Sequence, residues 1–178
     1  RIGNGAAIGD IGSGAVSVAG GASLVFNRDN SIMLDYKTTP KMRNVSGPGT
    51  IEITGGVTVI NYTGTGVGFA EADSWAGFSG NLVVMGGSEF RTIRNGATAM
   101  GTGTVVLGDA TTSGSLAQIE GNWTWTNPIS LVGTENKIIN RSVAGPRILK
   151  LQGAISGSGG LRFQDAAGSM TDPNSGFI

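Results

Sequence analysis

One short phrase recurs along this chain and constrains its fold more than any other feature. It runs glycine, a small or turn residue, glycine, another small residue, then a strand of alternating apolar residues. It stands as G-S-G-A-V-S-V from Gly12, G-P-G-T-I-E-I from Gly47, G-T-G-T-V-V-L from Gly101 and G-S-G-G-L-R-F from Gly157. The first two copies continue in parallel, Val16 to Leu24 matching Ile51 to Val59 in apolar and glycine pattern, and Leu82 to Phe90 is a third partial copy. A turn-strand-turn-strand unit cannot bury its apolar face alone, so its repetition predicts a solenoid in which each unit stacks on its neighbours. The marker strand returns at Val16, Ile51, Leu82, Val105 and Leu161, intervals that suit one coil each with the last holding two. A hairpin sandwich also has short, evenly spaced strands, but its strands need not repeat one another in sequence.

Thirty-two glycines among 178 residues, with only 5 prolines and no strict three-residue period, exclude a collagen helix and demand many tight turns. Strands are expected at Val16 to Val18, Ser23 to Phe26, Thr50 to Ile53, Val57 to Tyr62, Asn81 to Met85, Glu89 to Ile93, Thr104 to Leu107 and Ser115 to Ile119. Further strands are expected at Trp123 to Trp125, Ile129 to Val132, Lys137 to Ile139, Ile148 to Leu151 and Gly160 to Phe163. Period-two alternation assigns Val16, Val18, Leu24, Ile51, Ile53, Val57, Val59, Leu82, Val84, Phe90, Val105, Leu107, Leu149, Leu151 and Leu161 to the core. Asp29 to Asn44, with Lys37, Lys41 and Arg43, reads as an outward loop, and Glu71 to Phe78 as the one stretch able to hold a helical turn. The whole chain, 1–178, reads as a single domain.

The series N-W-T-W-T-N-P-I-S-L-V-G from Asn122 and L-K-L-Q-G-A-I-S-G-S-G-G-L from Leu149 resembles the autotransporter-associated β-strand repeats of large bacterial surface and secreted proteins. That resemblance implies an all-β, right-handed parallel β-helix in an exported, extracellular or surface-attached protein with an adhesive or scaffolding role. The chain departs from the repeat after Leu161, where Asp165 to Ile178 is turn-rich, so the last coil is expected to be incomplete or finished by another chain.

Twelve basic residues balance twelve acidic ones, which lacks the basic excess of a nucleic-acid binder. No apolar run approaches the roughly 20 residues of a membrane-spanning helix. With neither histidine nor cysteine, imidazole and thiolate chemistry is absent, and no cofactor, metal site or catalytic residue is expected. Glu71 with Asp73, and Asp35 with Lys37, Lys41 and Arg43, are the groupings an enzyme on this fold would use, and solvated loops are the alternative. Neither nucleotide-binding glycine motif nor the calcium nonapeptide occurs. Four N-x-[ST] sequons begin at Asn44, Asn61, Asn122 and Asn140 and read as chance.

Trp123 and Trp125 project to one face of a strand, where they form either an exposed platform for a sugar or partner, or part of the core. T-x-T pairs at Thr63, Thr102 and Thr124 raise an ice-binding alternative, which their irregular spacing disfavours. Opening on Arg1, the chain reads as a processed or excised piece of something longer, and neither end offers an amphipathic capping helix. Ile2, Phe177 and Ile178 are therefore the expected contacts for end-to-end self-association. The expected function is a non-catalytic structural or adhesive β-solenoid, with surface polysaccharide as a further partner. A carbohydrate-active β-helix, lyase or binding module, is the alternative.

Overall fold

The computed structural model describes residues 2–5, 14–28, 32–33, 44–61, 75–92, 99–119, 121–141, 147–165 and 176–177. Within them the chain is a parallel β-solenoid with almost no helix. Its coils run β1 (Val16–Ser17), β2 (Ser23–Asn27), β3 (Ile32–Met33); β4 (Val45–Gly47), β5 (Thr50–Thr54), β6 (Thr58–Asn61); and β7 (Gly77–Phe78), β8 (Asn81–Val84), β9 (Glu89–Thr92). They continue as β10 (Val105–Leu107), β11 (Ser115–Ile119); β12 (Trp123–Trp125), β13 (Ile129–Leu131), β14 (Asn136–Arg141); β15 (Ile148–Leu151), β16 (Ile155–Gly157), β17 (Leu161–Asp165); and β18 (Gly176–Phe177).

Stacking turns these strands into sheets that run along the solenoid. The first face is a six-stranded sheet in the order β2-β5-β8-β10-β13-β16, and the second a six-stranded sheet in the order β3-β6-β9-β11-β14-β17. The third face is divided into β1-β4-β7 and β12-β15-β18. In the coil between them, Ala99 and Met100 form a helical turn, and both are buried in the core. Every pairing is parallel and in register.

Register stacks like on like. Leu24, Ile51, Leu82, Val105, Ile129 and Ile155 form one column of the first face, and Phe26, Ile53, Val84 and Leu107 lie in the next. On the second face Val59, Phe90, Leu116, Ile138 and Phe163 align. Apart from the exposed end members Ile155 and Phe163 the columns form one continuous core, each fully buried side chain contributing about 1.5–3 kcal/mol. Trp75 fills its middle, edge-on to Phe78 at 6.2 Å between ring centroids and tilted on Phe90 at 5.7 Å. Every residue assigned to the core from its alternation is buried or packs half-buried against that core.

One set of the recurrent glycines marks the corner that leads into the first face. Gly49 and Gly80 stand directly before β5 and β8, Gly103 stands two residues before β10, and the three stack on one another. A Cβ on Gly80 would overlap the carbonyl oxygen of Gly49, and one on Gly103 that of Gly80. Glycine is required here by the close approach of successive backbones rather than by dihedral angle. Gly101, at the start of its phrase, has the added constraint of φ +76°.

Three sequence expectations need correction. Val16 pairs with Val45 rather than occupying the column of Ile51, and Leu161 lies on the second face, so the glycine phrase marks more than one corner. The phrases look alike because each corner obeys the same rule: glycine to turn, then alternation to place one face inward. The second concerns the outward loop of residues 29–44, which contributes β3 to the second face at residues 32–33. Third, the segment ending at Phe78 holds the strand β7 rather than a helical turn in its described part, and the helical residues are Ala99 and Met100.

Candidate functional site

Beneath the surface, each coil fastens its corners with buried amides and hydroxyls. Asn61, Thr92, Gln118 and Asn140 occupy one register position at the ends of β6, β9, β11 and β14, two residues beyond a core side chain and therefore pointing inward. Gln118 Nε2 donates to Asn140 Oδ1 at 3.0 Å and to the Gly121 carbonyl at 3.1 Å, while Asn140 Nδ2 donates to the Arg147 carbonyl at 3.0 Å. Asn61 Nδ2 donates to the Ala99 carbonyl at 2.8 Å, tying the helical turn to its neighbour coil. Asn127 joins the carbonyls of Gly101 and Gly103 at 2.9 and 3.0 Å. Sequence reading missed this ladder, although period-two counting from Val59, Phe90, Leu116 and Ile138 points to it. Burial of Asn61 and Asn140 also removes both as glycosylation acceptors, and Asn122 Oδ1 accepts the Ile148 N–H at 2.8 Å.

The outer side of the second face carries the charge. Arg141 on β14 reaches across β11 to Glu89 on β9, its Nη2 2.9 Å from Oε2, and Arg91 Nε also donates to the Glu89 carboxylate. Small Ala117, diagonal between these strands, is buried on the same side although it faces away from the core. On that face Lys137 and Arg162 lie opposite each other on β14 and β17. They flank a half-open groove of about 240 Å³ lined by Thr134, Glu135, Lys137, Gly160, Leu161 and Arg162.

Buried Asn136 holds the groove floor in place. Its Nδ2 donates to the carbonyls of Gly133 (2.6 Å) and Gly160 (3.1 Å), its Oδ1 accepts the Gly114 N–H at 3.1 Å, and the Glu135 N–H donates to Ser113 Oγ at 3.1 Å. One side chain thus joins three successive turns.

The aromatic pair is placed otherwise than a sugar platform requires. Trp125 is 1 % exposed and Trp123 half-buried, both facing the core column of Leu149 and Leu151. Alternation puts both indoles on one side, and that side is the interior. Thr124 lies opposite Lys150, so no threonine ladder passes through it. Glu71, Asp73, Asp35, Lys37, Lys41, Arg43, Thr63 and Ile178 lie outside the described residues.

At the N-terminal end, Ile2 bridges to Phe26 and extends the first face by one layer: its N–H donates to the Val25 carbonyl at 2.6 Å, and its carbonyl accepts the Asn27 N–H at 2.9 Å. Opposite, β18 brings Phe177 over Leu149 on the third face. Two side chains at core-column positions of that end, Ile155 and Phe163, are 40 % and 48 % exposed, whereas their neighbours Ile129 and Ile138 are buried.

Among the described residues no three acidic side chains gather as a metal site, and no helix is long and apolar enough to cross a membrane. No family model, curated protein or solved structure matches the chain.

Proposed function

We propose that this chain is a non-catalytic structural or adhesive β-solenoid, working outside a bacterial cell and associating head to tail through its coil ends. The observation that carries this reading is the pair of exposed core positions, Ile155 and Phe163, on the edge strands β16 and β17. An edge strand is a template on which a further strand can pair, and here it borders apolar columns. The first coil of a second copy, where half-buried Ile2 extends the first face over the columns of half-buried Leu24 and fully buried Phe26, offers the matching surface. Unlike ends need not close into a ring, so repeated association builds a filament. The repeat resemblance supports the exported setting.

Sedimentation and negative-stain electron microscopy at micromolar concentration test this. Concentration-dependent filaments, abolished by Ile155→Lys with Phe163→Lys, are expected. Persistent monomers with exchange-protected amides in both β2 and β16 overturn it. A carbohydrate-binding role is the second reading, favoured by the groove beside Lys137 and Arg162.

A further inference from the structure

We infer that the groove between the β13–β14 and β16–β17 turns binds a uronate unit of an acidic polysaccharide, Arg162 and Lys137 taking the carboxylate and Glu135 and Thr134 the sugar hydroxyls. This deepens the second reading above and is independent of end-to-end association.

The charge distribution is the first reason. Lysines and arginines equal acidic residues over the whole chain, yet the outer side of the second face gathers Arg91, Lys137, Arg141 and Arg162 against Glu89 and Glu135. Glu89 is occupied by Arg91 and Arg141. Lys137 and Arg162 sit opposite each other on strands about 4.8 Å apart, and neither has an ion-pair or hydrogen-bond partner among the described side chains. Like charges so placed repel, and an anion between them relieves that repulsion. The planar guanidinium of Arg162 suits a carboxylate bidentately, and the Lys137 ammonium adds a point charge.

The second reason is the company these cations keep. Glu135 lines the same groove and accepts hydrogen bonds only, so it repels a dense phosphate backbone but accepts from hydroxyl donors. A ligand presenting both a carboxylate and hydroxyls uses the whole set. A volume of about 240 Å³ falls below the roughly 300–1,000 Å³ of drug-sized sites and suits one sugar unit of a chain that continues into solvent. The Asn136 bonds fix both turns beforehand, so little ordering is needed on binding.

The test is affinity electrophoresis of the whole chain through polygalacturonate, with dextran and double-stranded DNA as comparison polymers. Retardation by polygalacturonate, weakening with salt and absent in dextran, is expected. Lys137→Glu and Arg162→Gln should each weaken it about tenfold, as loss of a charge-assisted hydrogen bond predicts. Lys150→Glu, the same charge change as Lys137→Glu at an exposed side chain of β15 on the third face, should leave it within about twofold. Glu135→Gln separates the chemistries: it should weaken polygalacturonate binding while strengthening any DNA binding. Circular dichroism and melting of each variant should match the parent, since none of these side chains makes an ion pair or hydrogen bond with another side chain among the described residues. No retardation, equal loss in Lys150→Glu, DNA binding as strong as polygalacturonate binding, or Glu135→Gln strengthening both overturns the inference. Filament formation is read separately and stands or falls on its own.

Discussion

Replacing Gly80 by alanine adds one methyl group, and the structure predicts that this group has nowhere to go. It would overlap the carbonyl oxygen of Gly49 and crowd the Pro48 carbonyl carbon at 2.9 Å, both main-chain atoms of the coil beneath. A side chain could rotate away, but stacked backbone held at about 4.8 Å must separate. Separation weakens the ladder between β5 and β8, whose register begins one residue on at Thr50 and Asn81. Overpacking typically costs about 1–3 kcal/mol, and a rigid backbone neighbour puts Gly80→Ala at about 3 kcal/mol or above. For a chain of this size that lowers the melting midpoint by about 6–12 °C. Gly20→Ala is the matched control: its backbone φ also lies outside the glycine-favouring region, and the added atom meets only Pro48 Cγ at 3.6 Å, an ordinary contact. There, reduced entropy of the unfolded chain should stabilise by about 0.4–1 kcal/mol. Urea unfolding followed by circular dichroism, with amide exchange at Leu82 and Val84, reads both variants. A Gly80→Ala variant within about 0.5 kcal/mol of the parent would refute the argument that close stacking is why this corner carries glycine.

Three further outcomes are expected. Val59→Asp places a carboxylate in a fully buried column beside Phe90, and urea unfolding should show a loss of about 4 kcal/mol or more; a loss below about 1 kcal/mol would contradict the core register. Asn136→Ala takes a partner from the Gly114 N–H and the Gly133 carbonyl, which should cost about 2–6 kcal/mol by the same measurement, and an unchanged midpoint would remove Asn136 from its fastening role. Hydrogen bonds from the backbone N–H groups of Thr111 and Thr112 hold the Asp109 carboxyl down at about 2, below its ordinary 3.8, so its ionised form favours the folded turn. That contribution is complete above pH 3.8 and is lost as pH falls toward about 2; an NMR titration midpoint near 3.8, or Thr111 and Thr112 amide exchange no faster in Asp109→Asn, would refute it.

The groove and the amide ladder differ in how far sequence reveals them. Asn61, Thr92, Gln118 and Asn140 sit at inward positions that alternation alone identifies, once the apolar residue two places earlier is taken as a core marker. The groove has no such signal. Lys137 and Arg162 are 25 positions apart in the chain, and only the pairing of β14 with β17 makes them neighbours. The reach of Arg141 to Glu89, 52 residues away, is likewise set by two strand spacings across β11.

The amino-acid pattern by itself determined that this chain would be a stack of short strands. Alternation at Ile51 and Ile53 or Val105 and Leu107 gives each strand one apolar side, and recurring glycine lets one coil lie against the next. Both rules are local, so they are written in adjacent residues. Tertiary structure decided which corner each phrase occupies, which columns align, and that Trp123 and Trp125 face inward. A parallel coil returns to the same face only after some twenty to thirty residues, and the length of its turns sets the register. Side-chain alternation fixes that a strand has two faces, but only its closure against the rest of the coil fixes which of them becomes the interior.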